Sequence, residues 1–400
     1  MHAAKKEEFL WKGVFMEISK NIFYVGVNDY DIDLFEGQYK VENGMSYNSY
    51  VIVDRKIAVM DTVDKHFGKK WLENLEKVLG GKTPDYLVIH HMEPDHSANI
   101  ESFTEKYPQA KVVSGRAAFV MMKNFFGKDY AQNGITIKEG DTLELGEHSL
   151  TFIAAPMVHW PEVMVSYEKS EKTLFSADAF GSFGAVGSGA GADEYRRYYT
   201  GIVGKYGVQV QSLLRKASAL DIKRICPLHG EILTDKTGEF VGLYDKWSRY
   251  EAEKEGVTIA YTSVYGNTEA AATELGEKLN ENGVFVRMFD LARSDMSEAV
   301  SSAFELSKLV LATTTYNGEI FPFMREFVSA LTERNYQNRT IAVIDNGSWA
   351  PQCEKTIKKC FESSKNIVFA QNNVTILSAM NEQNKQQINL LAAELSDKRA

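Results

Sequence analysis

The residues His91-Met92-Glu93-Pro94-Asp95-His96 place four metal-ligand types within six positions. They follow the apolar run Tyr86-Leu87-Val88-Ile89, which reads as a buried strand. Alternate residues at the end of an extended segment point the same way, so His91 and Glu93 can share one metal ion. Asp95 and His96 fall in the turn before a helix expected from Ser97, and can serve a second ion. Two imidazoles and two carboxylates make a nitrogen and oxygen donor set, which suits iron, manganese or zinc rather than a soft, thiolate-bound metal. The bland alternative is an exposed polar loop, but the density of ligand types argues against it.

Four ligands do not complete two ions. The chain has eight histidines. His159 sits just past the apolar segment Leu150–Ala155, Asp178 just past a strand at 173–176, and His229 just past the strand Ile222–Cys226. All three share one address, the carboxyl end of a strand, where loops of a layered sheet converge. Two ions about 3.5–4 Å apart need a bridging group, usually a carboxylate, and Asp178 is the natural candidate. Singly, His159 beside Trp160 also reads as a packed rim residue, and His229 before Gly230 as a turn cap. His2, His66 and His148 read as structural. His90 points to the opposite strand face from His91 and is assigned to packing.

A second set of loops lies in the other half. Thr262-Ser263-Val264-Tyr265-Gly266-Asn267-Thr268 follows the strand Val257–Tyr261 and opens a helix. Small hydroxylated residues with a glycine there leave backbone N–H groups for a phosphate at the positive helix end. The same residues also serve as plain helix caps. The pattern resembles the flavodoxin phosphate loop, which binds FMN; Tyr265 is bulkier than the Ser or Thr usual there. Thr313-Thr314-Thr315-Tyr316-Asn317-Gly318 follows the third strand of this half, and Asn346-Gly347-Ser348-Trp349-Ala350-Pro351 the fourth. In a parallel sheet of order 2-1-3-4-5 the first and third strands flank the ligand crevice. Tyr316 and Trp349 are then placed to border a flavin ring, with ordinary rim packing as the alternative. No G-x-G-x-x-G follows a strand, which argues against direct nicotinamide binding.

These residues need two scaffolds. At 400 residues the chain exceeds one ordinary core, and two domains are expected, 1–253 and 254–400. In the first, strands at 20–62, 86–89, 111–114, 134–138, 149–154, 163–167, 173–176 and 222–226 alternate with helices at 69–79 and 116–126 and a long helix from about Asp193 to Ala219, an α+β layered pattern. A helix over Val241–Lys254 precedes the boundary. Beyond it, five strands (Val257–Tyr261, Val284–Phe289, Lys308–Ala312, Thr340–Ile344, Asn373–Leu377) alternate with helices, the last over Glu382–Lys398, as in an α/β doubly wound parallel sheet. The net charge of -9 argues against nucleic acid and against a basic membrane-surface patch. Three cysteines without a CxxC pair suit a reducing cytoplasm. Met1–Glu8 lacks the apolar core of a signal peptide, and no apolar run is long enough to span a bilayer.

The N-terminal half resembles the metallo-β-lactamase fold, whose signature is H-x-H-x-D-H followed by lone His, Asp and His residues. Glu93 stands where the hydrolases place their second His, which makes the site harder and favours iron over zinc. That departure marks the flavodiiron proteins, and the chain is similar to them over essentially its whole length, metallo-β-lactamase-like diiron domain first and flavodoxin-like domain second. The resemblance implies one iron held by His91, Glu93 and His159, another by Asp95, His96 and His229, and Asp178 as the bridge. It implies FMN in the second domain and reduction of dioxygen to water, of nitric oxide to nitrous oxide, or both. It further implies electrons from rubredoxin, a similar small redox protein or a reduced deazaflavin, and a head-to-tail homodimer or a dimer of such dimers. Tyr198, in Tyr195-Arg196-Arg197-Tyr198-Tyr199, matches a family tyrosine near the substrate pocket, although a tyrosine on an amphipathic helix is more often packing. No rubredoxin-like CxxC module follows, so the minimal two-domain class is expected. The competing readings are a di-zinc hydrolase fused to a flavodoxin domain, and a flavin carrier with a vestigial metal domain. Glu93 and the flavin loops argue against the first, the intact ligand set against the second.

Overall fold

The computed structural model describes residues 16–397; His2 lies outside them. The chain divides into two compact units. One runs through Tyr199 and resumes over Val208–Gly242; the other takes Thr200–Gly207 and the chain from Leu243 onward.

In the first unit a seven-stranded sheet runs in the order Glu17–Ser19, Ile22–Tyr24, Tyr50–Val53, Ile57–Met60, Tyr86–Val88, Lys111–Gly115, Ile135–Ile137. The pairs from Ile57–Met60 onward are parallel, the earlier ones antiparallel. A five-stranded sheet has the order Thr142–Glu144, Ser149–Ala154, Met164–Glu168, Thr173–Phe175, Arg224–Cys226. Inward residues of both sheets share one core: Ile52, Ala58, Met60, Val88 and Val113 from the first, Leu150, Phe152, Phe175 and Cys226 from the second. Face-to-face burial of alternating apolar positions makes this a sandwich. Helices Gly68–Leu79 and Arg116–Phe126 end on left-handed glycines, Gly80 and Gly127, as their sequences predict.

Strand direction in the second sheet matters most for chemistry. Ser149–Ala154 and Thr173–Phe175 are both antiparallel to Met164–Glu168, and Arg224–Cys226 is parallel to Thr173–Phe175. Three strands therefore run the same way, and the segments bearing His159, Asp178 and His229 leave from one edge.

The second unit carries a parallel sheet in the order Val286–Asp290, Lys254–Tyr261, Leu306–Tyr316, Arg339–Asn346 and then Ile367–Phe369, with Val374–Ile376 also on Arg339–Asn346. This is the expected 2-1-3-4-5, with the last strand split. Along Leu309–Ala312 and Ile341–Ile344 successive residues enter opposite core clusters. A sheet covered on both faces needs such unbroken apolar runs.

The structure corrects two helices. The expected continuous helix over 193–219 is Ala192–Tyr198, a π turn at Tyr199–Val203, a 3-10 turn at Gly204–Tyr206, and a second helix, Gly207–Ala217. Gly201, Gly204 and Gly207 each weaken helix by about 1 kcal/mol, and periodicity does not register that. The helix expected over 241–254 is Thr237–Ser248; Tyr250 turns left-handed (φ 59°) and strand begins at Lys254. Within the strand region expected over 20–62, Leu34–Phe35, Tyr39–Lys40 and Met45–Tyr47 form short strands whose bounds two or three residues are too few to mark by period. Among the described residues no helix is long and apolar enough to cross a membrane.

Candidate metal centre and flavin loops

The strand before the motif stops at Val88, and His91 and Glu93 lie in the irregular segment that follows. They converge nonetheless, with His91 Nε2 3.2 Å from Glu93 Oε2. Pro94 opens a one-turn helix, Pro94–Ser97, which carries Asp95 and His96. Seven side chains meet there in two groups: His91, Glu93, His159 and Asp178 in one, Asp95, His96 and His229 in the other. Glu93 Oε2 is 3.1 Å from His159 Nε2. Across the centre, His96 Nε2 lies 3.0 Å from His229 Nε2, and Asp95 Oδ2 lies 3.2 Å from His229 Nε2.

Asp178 faces both groups. Its Oδ2 is 3.2 Å from His91 Nε2 and 3.4 Å from His159 Nε2, while its Oδ1 is 3.4 Å from His96 Nε2 and 3.6 Å from His229 Nε2. Each oxygen of one carboxylate thus addresses a different set.

Donor atoms about 3 Å apart are what one ion with bonds of about 2.1 Å gathers around itself. Both oxygens of Asp95, Asp178 Oδ2 and His96 Nδ1 are buried without a well-aligned hydrogen bond. Buried carboxylate oxygens without donors are costly, and a cation relieves that cost. The donor set is nitrogen and oxygen only, which suits iron.

The three loops of the second unit leave the carboxyl ends of adjacent strands. Thr262 is buried and its hydroxyl meets that of Thr313 at 2.7 Å. Ser263 Oγ accepts from Gly266 N–H, and Gly266 (φ 89°) precedes helix Asn267–Glu281, whose N-terminus has no side-chain cap. That leaves first-turn N–H groups for a phosphate. Thr268 is buried against Asn346, whose backbone carbonyl accepts from Thr314 Oγ1. Thr315 Oγ1 instead turns to Asp345, Cys353 and the N–H of Gln352. Asn317 and Gly318 form a left-handed turn into Glu319–Ile320. Gly347 N–H is tied to Ile376 C=O, and Ser348 lies in the same open loop. Val264, Tyr265, Tyr316 and Trp349 are exposed, Tyr265 and Trp349 to 91%.

Residues 45–230 match the family described as ODP family beta lactamase, and residues 258–399 the family described as flavodoxin domain. The chain is 29% identical to a nitric oxide reductase of Moorella thermoacetica, over 90% of this chain and 92% of that protein. It is 28% identical to an anaerobic nitric oxide reductase flavorubredoxin of Salmonella arizonae, over 83% of this chain and 72% of that one. Its fold matches rubredoxin oxygen:oxidoreductase from Desulfovibrio gigas with a TM-score of 0.89 at 24% identity, covering 96% of this chain and 98% of that one. Both halves of the chain thus match, in order, the two domain families that the flavodiiron resemblance implies. It is an oxidoreductase. A flavoprotein from Thermotoga maritima has the same fold, with a TM-score of 0.82 at 25% identity over 94% of this chain and 96% of that one.

The charges of the centre act strongly on one another. Burial opposes charge on His91, but the Asp178 carboxylate and the hydrogen bond to Glu162 raise the ring well above its ordinary value. Burial opposes charge on Asp178 too, yet His91, His159 and His96 hold it well below the carboxylate range. Burial likewise opposes charge on Glu93, and hydrogen bonds from His159 and His91 still bring it down to about 2. His159, against the same penalty, is raised to about 9 by Asp178 and Glu93.

Two supporting groups escaped the sequence. Glu162 Oε1 accepts from His91 Nδ1 at 2.8 Å and from Met92 N–H at 2.9 Å. The carbonyl of Ser46 accepts from His229 Nδ1 at 2.7 Å. Each fixes its ring so that Nε2 points into the centre. The only hint of Glu162 was an acid beside the apolar Val163–Val165; a backbone carbonyl leaves no hint at all. Tyr198, by contrast, reaches the centre: its hydroxyl bonds Asp178 Oδ1, and its ring lies 5.7 Å from that of His229. Phe35 and Tyr47 close the same side at 5.1 and 5.9 Å. His90 packs as expected, between Asp61 Oδ2 at 2.6 Å and Ser166 Oγ at 2.8 Å. His148 is buried against Glu168, and His66 is exposed beside Asp64.

Proposed function

We propose that this chain is a flavodiiron protein and reduces dioxygen to water, nitric oxide to nitrous oxide, or both, using two iron ions and FMN. The iron domain spans 1–253 and the FMN domain 254–400. His91, Glu93 and His159 hold one iron, Asp95, His96 and His229 the other, and Asp178 bridges. The observation that carries this reading is the double reach of Asp178, one oxygen toward each imidazole set. The relatives named as nitric oxide reductases support the substrate class.

Bound, the iron pair and FMN would supply the electrons: four, with four protons, turn dioxygen into two waters, and two, with two protons, turn two nitric oxides into nitrous oxide and water. The protein's own residues prepare the place. Glu93, Asp95 and Asp178 bring negative charge to balance the ions, and the buried imidazoles aim their Nε2 atoms inward. Phe35, Tyr47 and Tyr198 keep water from the His229 side. The Thr262–Thr268 loop and the Asn267 helix end hold the FMN phosphate, with Thr314, Asn317, Gly318, Asn346, Gly347 and Ser348 lining the flavin and Tyr316 and Trp349 bordering its ring. A small redox protein of the rubredoxin kind delivers electrons, and a head-to-tail homodimer brings each flavin to its partner's irons.

The test is metal and flavin analysis of the purified chain followed by stopped-flow oxidation of the reduced protein with each gas. Two irons and one FMN per chain, with rapid oxidation by at least one gas, are expected. Zinc without flavin, or no reaction with either gas, overturns the reading. His229→Ala should abolish gas reduction and leave the flavin absorbance in place. Light scattering at working concentration should give a dimer or tetramer, and a fully active monomer removes the head-to-tail arrangement.

A further inference from the structure

His229 lies in the turn Pro227-Leu228-His229-Gly230, past the end of strand Arg224–Cys226, and all four residues are buried. Buried backbone carbonyls must find donors, and this turn belongs to no helix or strand that would supply them. Three of the four carbonyls take their donor from one residue, Asn48, which is itself fully buried. Its side-chain Nδ2 donates to Pro227 C=O and to Gly230 C=O, both at 2.9 Å. Its backbone N–H donates to Leu228 C=O at 2.8 Å. The fourth carbonyl, that of His229, accepts from Ser182 N–H at 3.4 Å. One amide therefore brackets the ligand, with a bond to the backbone on each side of it.

The amide fits in one orientation only. Both partners of Nδ2 are carbonyls, which can only accept, while Oδ1 accepts from the Tyr24 hydroxyl at 3.1 Å. Exchanging its oxygen and nitrogen would set oxygen against two carbonyl oxygens. The neighbours of Asn48 complete the grip. The Tyr50 hydroxyl donates to Pro227 C=O at 2.7 Å, and Ser46 Oγ accepts from Gly230 N–H at 2.7 Å. With the Ser46 carbonyl on His229 Nδ1, the stretch Ser46–Tyr50 holds both the ring and the backbone that carries it. Asn48 sits between Met45–Tyr47 and Tyr50–Val53, a strand of the seven-stranded sheet. A ligand delivered by the five-stranded sheet is thus fastened from the other one.

We propose, on the reading of His229 as an iron ligand, that Asn48 is its positioning residue: by bracketing the turn it sets His229 Nε2 opposite His96 and Asp95, and so governs metal binding at that set and not at the other. Asn48 touches neither metal nor gas and acts through the backbone of the turn. His229 Nε2 stands 3.0 Å from His96 Nε2 and 3.2 Å from Asp95 Oδ2. Metal–ligand distances hold to within about 0.2 Å, so a small drift of the turn is felt at the ion. His91, in the second set, is oriented by a different group, Glu162. Loosening Asn48 therefore separates two sites that otherwise fill together.

The test is calorimetric titration of the metal-free full chain with zinc, comparing wild type, Asn48→Ala, Asn48→Asp and Leu150→Ala. Wild type should take two ions. Asn48→Ala should bind one of them as wild type does and the other at least about tenfold more weakly, the scale of losing a group that orients a ligand. Asn48→Asp keeps the shape but has no N–H to give, so it should lose at least as much. Leu150→Ala thins the same core without touching the turn and should keep both affinities. In a His229→Ala background the effect of Asn48→Ala should vanish, and in a His159→Ala background it should persist, because two residues acting through one ligand are not additive. Wild-type binding in Asn48→Ala, equal weakening of both ions, the same loss in Leu150→Ala, or full additivity with His229→Ala overturns the proposal. Hydrogen exchange of the metal-free protein judges it separately. Leu228 and Gly230 N–H, bonded to Ala177 C=O and Ser46 Oγ, should exchange at least about tenfold faster in Asn48→Ala, with Ile89 N–H unchanged. If wild type binds no metal, the iron reading falls, and exchange still decides on Asn48: unchanged protection of those two amides overturns it. Should Asn48→Ala fail to fold, Tyr50→Phe, which removes one donor from Pro227 C=O, should weaken the same single ion to a smaller extent, and wild-type affinity there overturns the proposal.

Discussion

The hydroxyl of Tyr198 donates a 3.0 Å hydrogen bond to Oδ1 of Asp178, the oxygen that also faces His96 and His229. A phenol held on one oxygen of the bridging candidate fixes the rotation of the carboxylate, and so the division of its two oxygens between the imidazole sets. Tyr198→Phe keeps the ring packed against Phe183 and His229 and removes the bond to Asp178. Iron affinity should drop about tenfold, as for loss of a partner to a ligand. Competition with a chelator measures it; an unchanged affinity would leave Tyr198 as packing alone.

Glu162 does for His91 what Tyr198 does for Asp178. Glu162→Ala would leave His91 Nδ1–H and Met92 N–H without their acceptor in a buried place, costing about 1–3 kcal/mol for an unsatisfied donor. Urea unfolding of the metal-free protein should show that loss. Glu162→Asp should recover metal affinity only in part, because the shorter side chain moves the oxygen off the ring.

Metal binding should release protons. His159, raised to about 9, is charged at neutral pH in the metal-free protein and must lose its proton to become a ligand. Affinity should therefore climb with pH from neutrality to about 9, with His91 and His96, also raised, adding to the proton release, while Glu93, already ionised above about 2, adds nothing over that span. Calorimetry in buffers of different ionisation enthalpy reads the proton count directly. A pH-independent affinity between neutrality and pH 9 would show that His159 is not displaced from a proton and so does not bind the ion.

Far from the metal loops, His148 bonds Glu168 at 3.0 Å. That hydrogen bond is the largest cause raising His148, and Glu168, against the burial that opposes its charge, is lowered by the same pair. The His148 contribution to stability is full below the unfolded-state value and is lost as pH rises through the folded one. The Glu168 contribution runs the other way, present above its unfolded value and lost as pH falls through the folded one. Thermal unfolding of His148→Gln against wild type should show a difference largest in the mildly acidic range and shrinking toward alkaline pH. A constant difference would mean that the pair contributes through packing.

Gly230 follows His229 in a left-handed backbone (φ 78°), and a Cβ there would stand 2.1 Å from Ser182 Oγ. Gly230→Ala should displace the His229 segment, lower the melting temperature and halve the bound iron. Gly266→Ala has the same backbone strain but open space around the added carbon, so it should cost only about 1–2 kcal/mol. Parallel melts and metal assays of the two variants separate strain from collision.

Much of the centre was legible because ligand chemistry is concentrated in few residue types. Histidine and acid at the ends of apolar runs are rare enough to stand out, and His91, Glu93, Asp95, His96, His159, Asp178 and His229 do converge. Strand alternation does not by itself bring His91 and Glu93 together, since the strand has already ended at Val88. The glycine-interrupted segment after Tyr198 resembles one continuous helix in sequence because apolar spacing persists across the π turn of Tyr199–Val203. Glu162 was invisible: an acid on a loop looks the same whether it faces water or an imidazole.

By itself the chain's order of residues determined the inventory of ligands, the strand and helix periods, and the change of character near the middle. Only the tertiary structure decided which ligand meets which. His96 and His229 are 133 positions apart and touch at 3.0 Å because the strand before each, Tyr86–Val88 in one sheet and Arg224–Cys226 in the other, delivers its loop to the same end of the sandwich. Strand direction is set by which sheet faces can be buried together, a property of the whole core that no local pattern carries.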